Sequence, residues 1–153
     1  MVVLRSKGRT ESATWLPEAK YGKSKLLDYV AGGADYTLSD RRVSTAPEVA
    51  ASLAAVVEHP INDDFAITGR LQAPYQSKVY TGASSPFTQD AFTLLNANIG
   101  VKSLEGWQVE LWGQNLTDER YVTATFPTPV RTGDFNACVG SPRTDGVSLR
   151  GGF

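Results

Sequence analysis

The chain has little of the chemistry by which enzymes usually announce themselves. It holds one cysteine, Cys138, and one histidine, His59, among 153 residues. A lone cysteine excludes an internal disulfide and a cysteine-built metal site. A lone histidine excludes a histidine-rich metal centre or a histidine dyad. Cys138 has no histidine near it in sequence to activate it as a nucleophile. Ser24, Ser84 and Ser141 lack the Gly-x-Ser-x-Gly setting, and no glycine-rich phosphate loop is present. Asp63-Asp64 lacks the spaced oxygen ligands of a calcium loop and reads as turn chemistry. His59, beside Pro60, reads as an exposed turn residue. Acid, base and nucleophile candidates do not cluster, so the chain is read as a non-enzyme with no catalytic residue, cofactor or metal ligand.

Charge of one sign is lacking too. Lys and Arg number 15 and Asp and Glu 16, for a formal net charge of -1. There is no basic footprint and no nucleic-acid partner is expected. Runs of 18 or more apolar residues are absent, which excludes a spanning helix. Met1-Val-Val-Leu-Arg-Ser-Lys7 has no apolar run long enough for a signal peptide. The expectation is therefore a cytosolic chain, or one without its true start. The mean hydropathy of -0.23 looks soluble, but such an average misleads for a membrane barrel, whose polar face cancels its lipid face.

What is present is alternation. Trp107, Val109 and Leu111 fall on one side of an extended chain, and Gln108, Glu110 and Gln114 mostly on the other. Val147, Leu149, Gly151 and Phe153 share a face, opposite Ser148, Arg150 and Gly152. Period two is the mark of a strand. The pattern recurs over Phe65–Gln76, with Arg70 and Gln72 on the polar side. It recurs over Ala91–Lys102, with Leu95, Ala97, Ile99 and Val101 opposite Leu94, Asn96, Asn98 and Gly100. Pro74 marks an edge, a bulge or a sheet exit. Residues 48–58 alternate as well, although their alanines make a helix the rival on propensity. Residues 17–29 read as one or two helical turns weakened by Gly22, and Thr10–Trp15 as the tail of a strand.

Five strands are thus expected, with a sixth within residues 1–15. Short connections at 59–64 and 103–106 alternate with long ones at 79–90 and 119–143. Two regions follow: a poorly defined strand remnant and loop over 1–47, and five-strand hairpins over 48–153. Strands of about 10 to 13 residues joined in this way suit membrane-barrel hairpins. The expected fold is an all-β antiparallel meander forming an incomplete piece of a large transmembrane β-barrel, since five or six strands do not close one.

Three segments then resemble a known family. Leu95-Asn-Ala-Asn-Ile-Gly-Val-Lys102, Gly106-Trp-Gln-Val-Glu-Leu-Trp-Gly-Gln-Asn-Leu-Thr-Asp-Glu-Arg-Tyr121 and Pro142-Arg-Thr-Asp-Gly-Val-Ser-Leu-Arg-Gly-Gly-Phe153 look like the C-terminal end of TonB-dependent outer-membrane receptors. Cys138 and Asp145 depart from the family's usual pattern. The resemblance implies a fragment of a transporter for a scarce large solute (siderophore, cobalamin or oligosaccharide), inactive in isolation. It implies an outer-membrane location for the parent protein. Outer-membrane lipid and the barrel-assembly machinery would be partners, and the energy-coupling TonB complex a partner of an intact receptor only. Val147, Leu149 and Phe153 would form the assembly signal. Arg70, Gln72, Asn96, Asn98, Glu110, Gln114 and Arg150 would face the lumen.

The rival reading is a small soluble β binding module without catalytic activity. Trp107, Trp112 and Tyr121 are the aromatics that could stack sugars, against an interfacial belt or plain packing. Arg131 and Asp134 read as loop charges, and Asn115-Leu-Thr117 fits a glycosylation acceptor pattern that is often false.

Overall fold

The computed structural model describes residues 2–4, 12–22, 29–31, 34–36, 43–82, 86–129, 131 and 133–151. Among these the regular elements are all strands: β1 (Val2–Leu4), β2 (Ser12–Tyr21), β3 (Tyr29–Ala31), β4 (Ala34–Tyr36), β5 (Val49–Pro60), β6 (Phe65–Gln76), β7 (Val79–Tyr80), β8 (Thr88–Gln89), β9 (Phe92–Thr93), β10 (Asn96–Ser103), β11 (Trp107–Gln114), β12 (Val122–Pro127), β13 (Phe135–Val139) and β14 (Thr144–Gly151). The alanine-rich stretch after Pro47 is strand β5, because β2 and β6 supply backbone partners on both sides. That tertiary pairing overrides the helical propensity of alanine. Residues 17–21, read as helical, continue strand β2, and residues 23–28 lie outside the described residues.

The main sheet runs β1-β2-β5-β6-β10-β11-β14, with β9 also on β6, and every neighbouring pair is antiparallel. Strand β9 is a continuation of β10. Tyr75 faces Thr93 and Gln72 faces Asn96, so the register is the same on both sides of the gap. The gap lies opposite Pro74, whose carbonyl accepts from Leu94 N at 3.0 Å but which has no N–H to return. Pro74 therefore interrupts a ladder without ending the strand.

The antiparallel meander expected from the alternation is present, and so is the split in connection length. Ile61–Asp64 and Leu104–Gly106 are short turns at one end of the sheet. The first is an Asx turn: Asn62 Oδ1 accepts from Asp64 N at 2.9 Å and Phe65 N at 2.8 Å. His59 is not in that turn but in β5, opposite Ile67. The three long connections leave the other end and carry the hairpins β3–β4, β7–β8 and β12–β13.

The barrel expectation is corrected here. The sheet path begins at β1 and ends at β14, the two do not pair, and among the described residues no sheet closes on itself. The chain folds as an open all-β meander in place of a segment of a closed transmembrane wall. No helix among the described residues is long and apolar enough to cross a membrane.

A single-layer sheet has no interior of its own. Among the described residues, the buried apolar side chains are Ala54 and Val79, and the buried polar ones are Thr81, Ser103 and Asn115. Val79, Thr81 and Asn115 lie at the long-connection end, where the hairpins dock on one another. Thr81 and Thr125 hydroxyls meet at 2.8 Å, and Thr125 N donates to Thr81 O at 2.7 Å. Val122 N donates to Gln89 Oε1 at 2.7 Å. Phe87 meets Phe135 edge to face at 5.5 Å.

Register packs strands tightly at Gly100. A Cβ there would stand 2.6 Å from Val109 O, a backbone atom that cannot swing away, whereas one at Gly151 meets nothing within 4 Å. Gly100→Ala is expected to destabilise the chain by about 1–3 kcal/mol through overpacking. Gly151→Ala should leave the urea midpoint unchanged or raise it slightly. Equal midpoints for the two variants would contradict this register.

Candidate functional site

The alternation gives the sheet two unlike faces. One carries Leu53 and Val57 of β5, Ile67 and Leu71 of β6, Ile99 of β10, Val109 and Leu111 of β11, and Val147 and Leu149 of β14, all of them solvent-exposed. The other is polar and holds a groove of about 440 Å³ lined by Arg70, Gln72, Asn96, Ala97, Asn98, Glu110, Trp112, Gly113, Gln114, Ser148 and Arg150.

Cross-strand rows build this groove. Arg70 on β6 stands opposite Asn98 on β10, Asn98 opposite Trp112 on β11, and Trp112 opposite Gly146 on β14. Gln72 opposes Asn96 in the next row. Glu110 opposes Ser148, and Gln108 opposes Arg150, in the rows on the far side of Trp112. The seven residues expected to face a lumen are all brought together on this one face. In the open sheet they line a groove exposed to solvent.

Hydrogen bonds tie the polar side chains into short chains. Arg70 Nη2 donates to Gln72 Oε1 at 3.4 Å, and Gln72 Nε2 donates to Ser52 Oγ at 3.2 Å. Gln108 Nε2 donates to Glu110 Oε2 at 3.5 Å. These contacts are long for hydrogen bonds, so the groups are held loosely and can be traded for contacts to a ligand. The ion pair Lys102–Glu58, at 3.9 Å, lies toward the turn end with both partners half exposed; such a pair contributes little stability.

Trp112 is the aromatic centre of the groove. A Cβ at Gly146 would stand 2.8 Å from Trp112 Cζ2 and 3.0 Å from Cε2. The indole therefore lies down on the backbone of β14, where only glycine leaves space. The other two aromatics named as stacking candidates lie elsewhere. Trp107 packs against Phe65 at 5.7 Å beside the short turns. Tyr121 stacks on Phe92 at 4.5 Å and covers Gly140. Arg131 and Asp134 pair with each other at 3.5 Å in the β12–β13 connection, outside the groove.

The Asn115-Leu-Thr-Asp118 motif is a structural clamp. Asn115 has φ 50° and is 3% exposed. Its backbone N donates to Asn96 Oδ1 at 2.9 Å. Its side-chain Nδ2 donates to Glu119 O at 2.9 Å and Ser141 O at 3.1 Å, while its Oδ1 accepts from Glu119 N at 2.9 Å. Asp118 Oδ1 accepts from Arg143 N at 3.2 Å. Both hydrogens of the Asn115 amide are engaged, so the glycosylation pattern there is a chance match. The clamp fixes Asn96 at the rim of the groove and the start of β14 beside it. Sequence reasoning missed this role, and also the part of Ser148, whose phase with Arg150 was the available signal.

No group of three or more His, Cys, Asp or Glu side chains able to hold a metal ion occurs among the described residues. Cys138 is exposed on β13, and Phe153 of the expected assembly signal lies outside the described residues. Val147 and Leu149, the other two members of that signal, are exposed on the apolar face.

No protein-family model matches the chain, and no solved structure matches it. The resemblance to TonB-dependent receptors is corrected accordingly: it rests on short terminal motifs, and the sheet they belong to does not close. With it go the reading as a transporter fragment and the outer-membrane location of a parent protein. The membrane lipid, the barrel-assembly machinery and the TonB complex likewise lose their basis as partners.

Two expected outcomes follow from this geometry. Asn115→Asp turns a carboxylate oxygen toward the carbonyls of Glu119 and Ser141, and should cost about 2–4 kcal/mol in urea unfolding. Asn115→Gly, which keeps the left-handed backbone but removes the amide, should also destabilise; a neutral result would show that backbone conformation alone matters. Gly146→Ala should lift the indole off β14, changing the near-ultraviolet dichroism band that Trp112→Phe removes. An unchanged band would mean the ring does not rest there.

Proposed function

We propose that this chain is a non-catalytic β-sheet binding module and that the polar groove around Trp112 is its ligand face. The observation that carries this reading is the convergence of one flat aromatic, four side-chain amides, two guanidiniums and one carboxylate on a single groove. Binding sites fix a ligand with a small number of well-placed polar groups beside apolar surface. Here the amides of Gln72, Asn96, Asn98 and Gln114 offer both donors and acceptors. Arg70 and Arg150 add donors that suit a carboxylate or a pair of vicinal hydroxyls.

The outer face of the Trp112 ring suits the flat, C–H-rich side of a small ring. A hydroxyl-rich ligand with one apolar face satisfies both demands, and sugars are the simplest probes of that kind. Ser148 stands opposite Glu110, but no hydrogen bond joins the hydroxyl to the carboxylate, which instead accepts from Gln108, and this is why binding is preferred to catalysis.

Titration of the chain with short neutral and acidic oligosaccharides, followed by tryptophan emission, tests the reading. A saturable change is expected, and Trp112→Ala should weaken binding by roughly tenfold or more, as removal of a central aromatic does. The expected split is that Trp107→Phe, on the other face, leaves affinity unchanged. Absence of any saturable change at millimolar probe, or equal affinity in the wild type and Trp112→Ala, overturns the assignment.

A further inference from the structure

The apolar face of the sheet is independent of the groove, and it raises a separate question of what covers it. Large aliphatic side chains are exposed on it on successive strands: Leu53 on β5, Leu71 on β6, Ile99 on β10, Leu111 on β11, and Val147 and Leu149 on β14. The least exposed of these is 49% accessible and the most exposed 76%. They form one patch because register places them side by side: Ile99 opposes Leu111, Leu111 opposes Val147, and Val109 opposes Leu149.

With Val57, Ile67 and Val109, at 44%, 36% and 36%, the patch holds nine exposed aliphatic side chains; a standard interface takes about 800 Å² from each partner. Patches on lone monomers rarely exceed a few hundred Å². The hairpins β3–β4, β7–β8 and β12–β13 are grouped at the long-connection end, and no second layer of the described chain lies over the patch.

We propose that a second copy of this chain covers it, the two sheets packing apolar face to apolar face as a β-sandwich about a two-fold axis. The charge fits: in the phase of Leu111 across the described parts of β5, β6, β10, β11 and β14, the one charged residue is Asp145, at the end of β14. A face whose one charge lies at its end can be laid against itself without burying an ion at its centre, and a two-fold contact requires such a self-compatible patch. Small residues at Ala55, Gly69 and Ala97, set among Leu71, Ile99 and Leu111, leave the relief that lets facing sheets interdigitate at about 10 Å. In this arrangement both polar grooves point outward, one on each side of the sandwich.

Sedimentation velocity of the full chain in buffer without detergent tests this. The expected particle has twice the 16.5 kDa chain mass and dissociates on dilution as a monomer–dimer equilibrium. Leu111→Glu should weaken the dimer by at least a hundredfold. Leu111 is already exposed in the single chain, so the variant should keep its far-ultraviolet strand spectrum. Ile99→Lys provides a second, independent disruption, and Gln108→Ala on the opposite face should leave the dimer intact. A monomer at tens of micromolar overturns the proposal. So does a chain that forms only larger aggregates, one that stays in solution only with detergent or phosphatidylcholine vesicles, or a dimer unaffected by both face variants.

Discussion

Backbone pairing between antiparallel neighbours is the constraint on which everything else in this molecule rests. Among the described residues few side chains are buried and none forms a second layer over the sheet. The ladder that joins β2, β5, β6, β10, β11 and β14 holds long strands in one register, and that register decides which side chains meet. A slip of one residue would exchange the two faces throughout. Tight points such as Gly100 under Val109 and Gly146 under Trp112 exclude neighbouring registers, because a side chain larger than glycine has no space there.

The register turns a one-dimensional pattern into two surfaces with different tasks. Polar residues of four strands gather into the groove, and apolar residues of the same strands gather on the reverse. Neither surface has a meaning for a single strand. Arg70 and Trp112 are separated by more than forty positions in sequence, yet only Asn98 stands between them across the sheet. The proposed ligand face and the proposed dimer face are thus two consequences of one arrangement, and each can fail without the other.

Much of the sheet was legible in the sequence because period two needs no tertiary information. The faces of β6, β10, β11 and β14 follow from the alternation of Arg70 and Gln72, Asn96 and Asn98, Glu110 and Gln114, and Ser148 and Arg150. Their convergence on one face follows too. What local pattern could not give was context. The alanines of β5 admit a helix until β2 and β6 are seen on either side. Residues 17–21 are strand for the same reason. Pro74 admits an edge, a bulge or a sheet exit, and only the matching register of β9 and β10 shows an interrupted ladder. The barrel reading failed at a different level. Alternation describes one wall and one pair of faces, but whether a sheet curls and closes depends on partners that no single strand encodes. The motifs suggested a family, although one of them, Asn115-Leu-Thr-Asp118, is accounted for by the hydrogen bonds it makes.

That clamp has a consequence for how the molecule can vary. Asn115 grips Glu119 and Ser141, and Asp118 grips Arg143, so the excursion bearing β12 and β13 is fastened at its two roots. The described residues of its tip, 128–134, bond and pair only within the hairpin. Foreign peptide grafted at the tip, around Thr128 to Asp134, would leave the entry into β14 where it stands, making that hairpin the natural place for such chains to diversify or to be engineered.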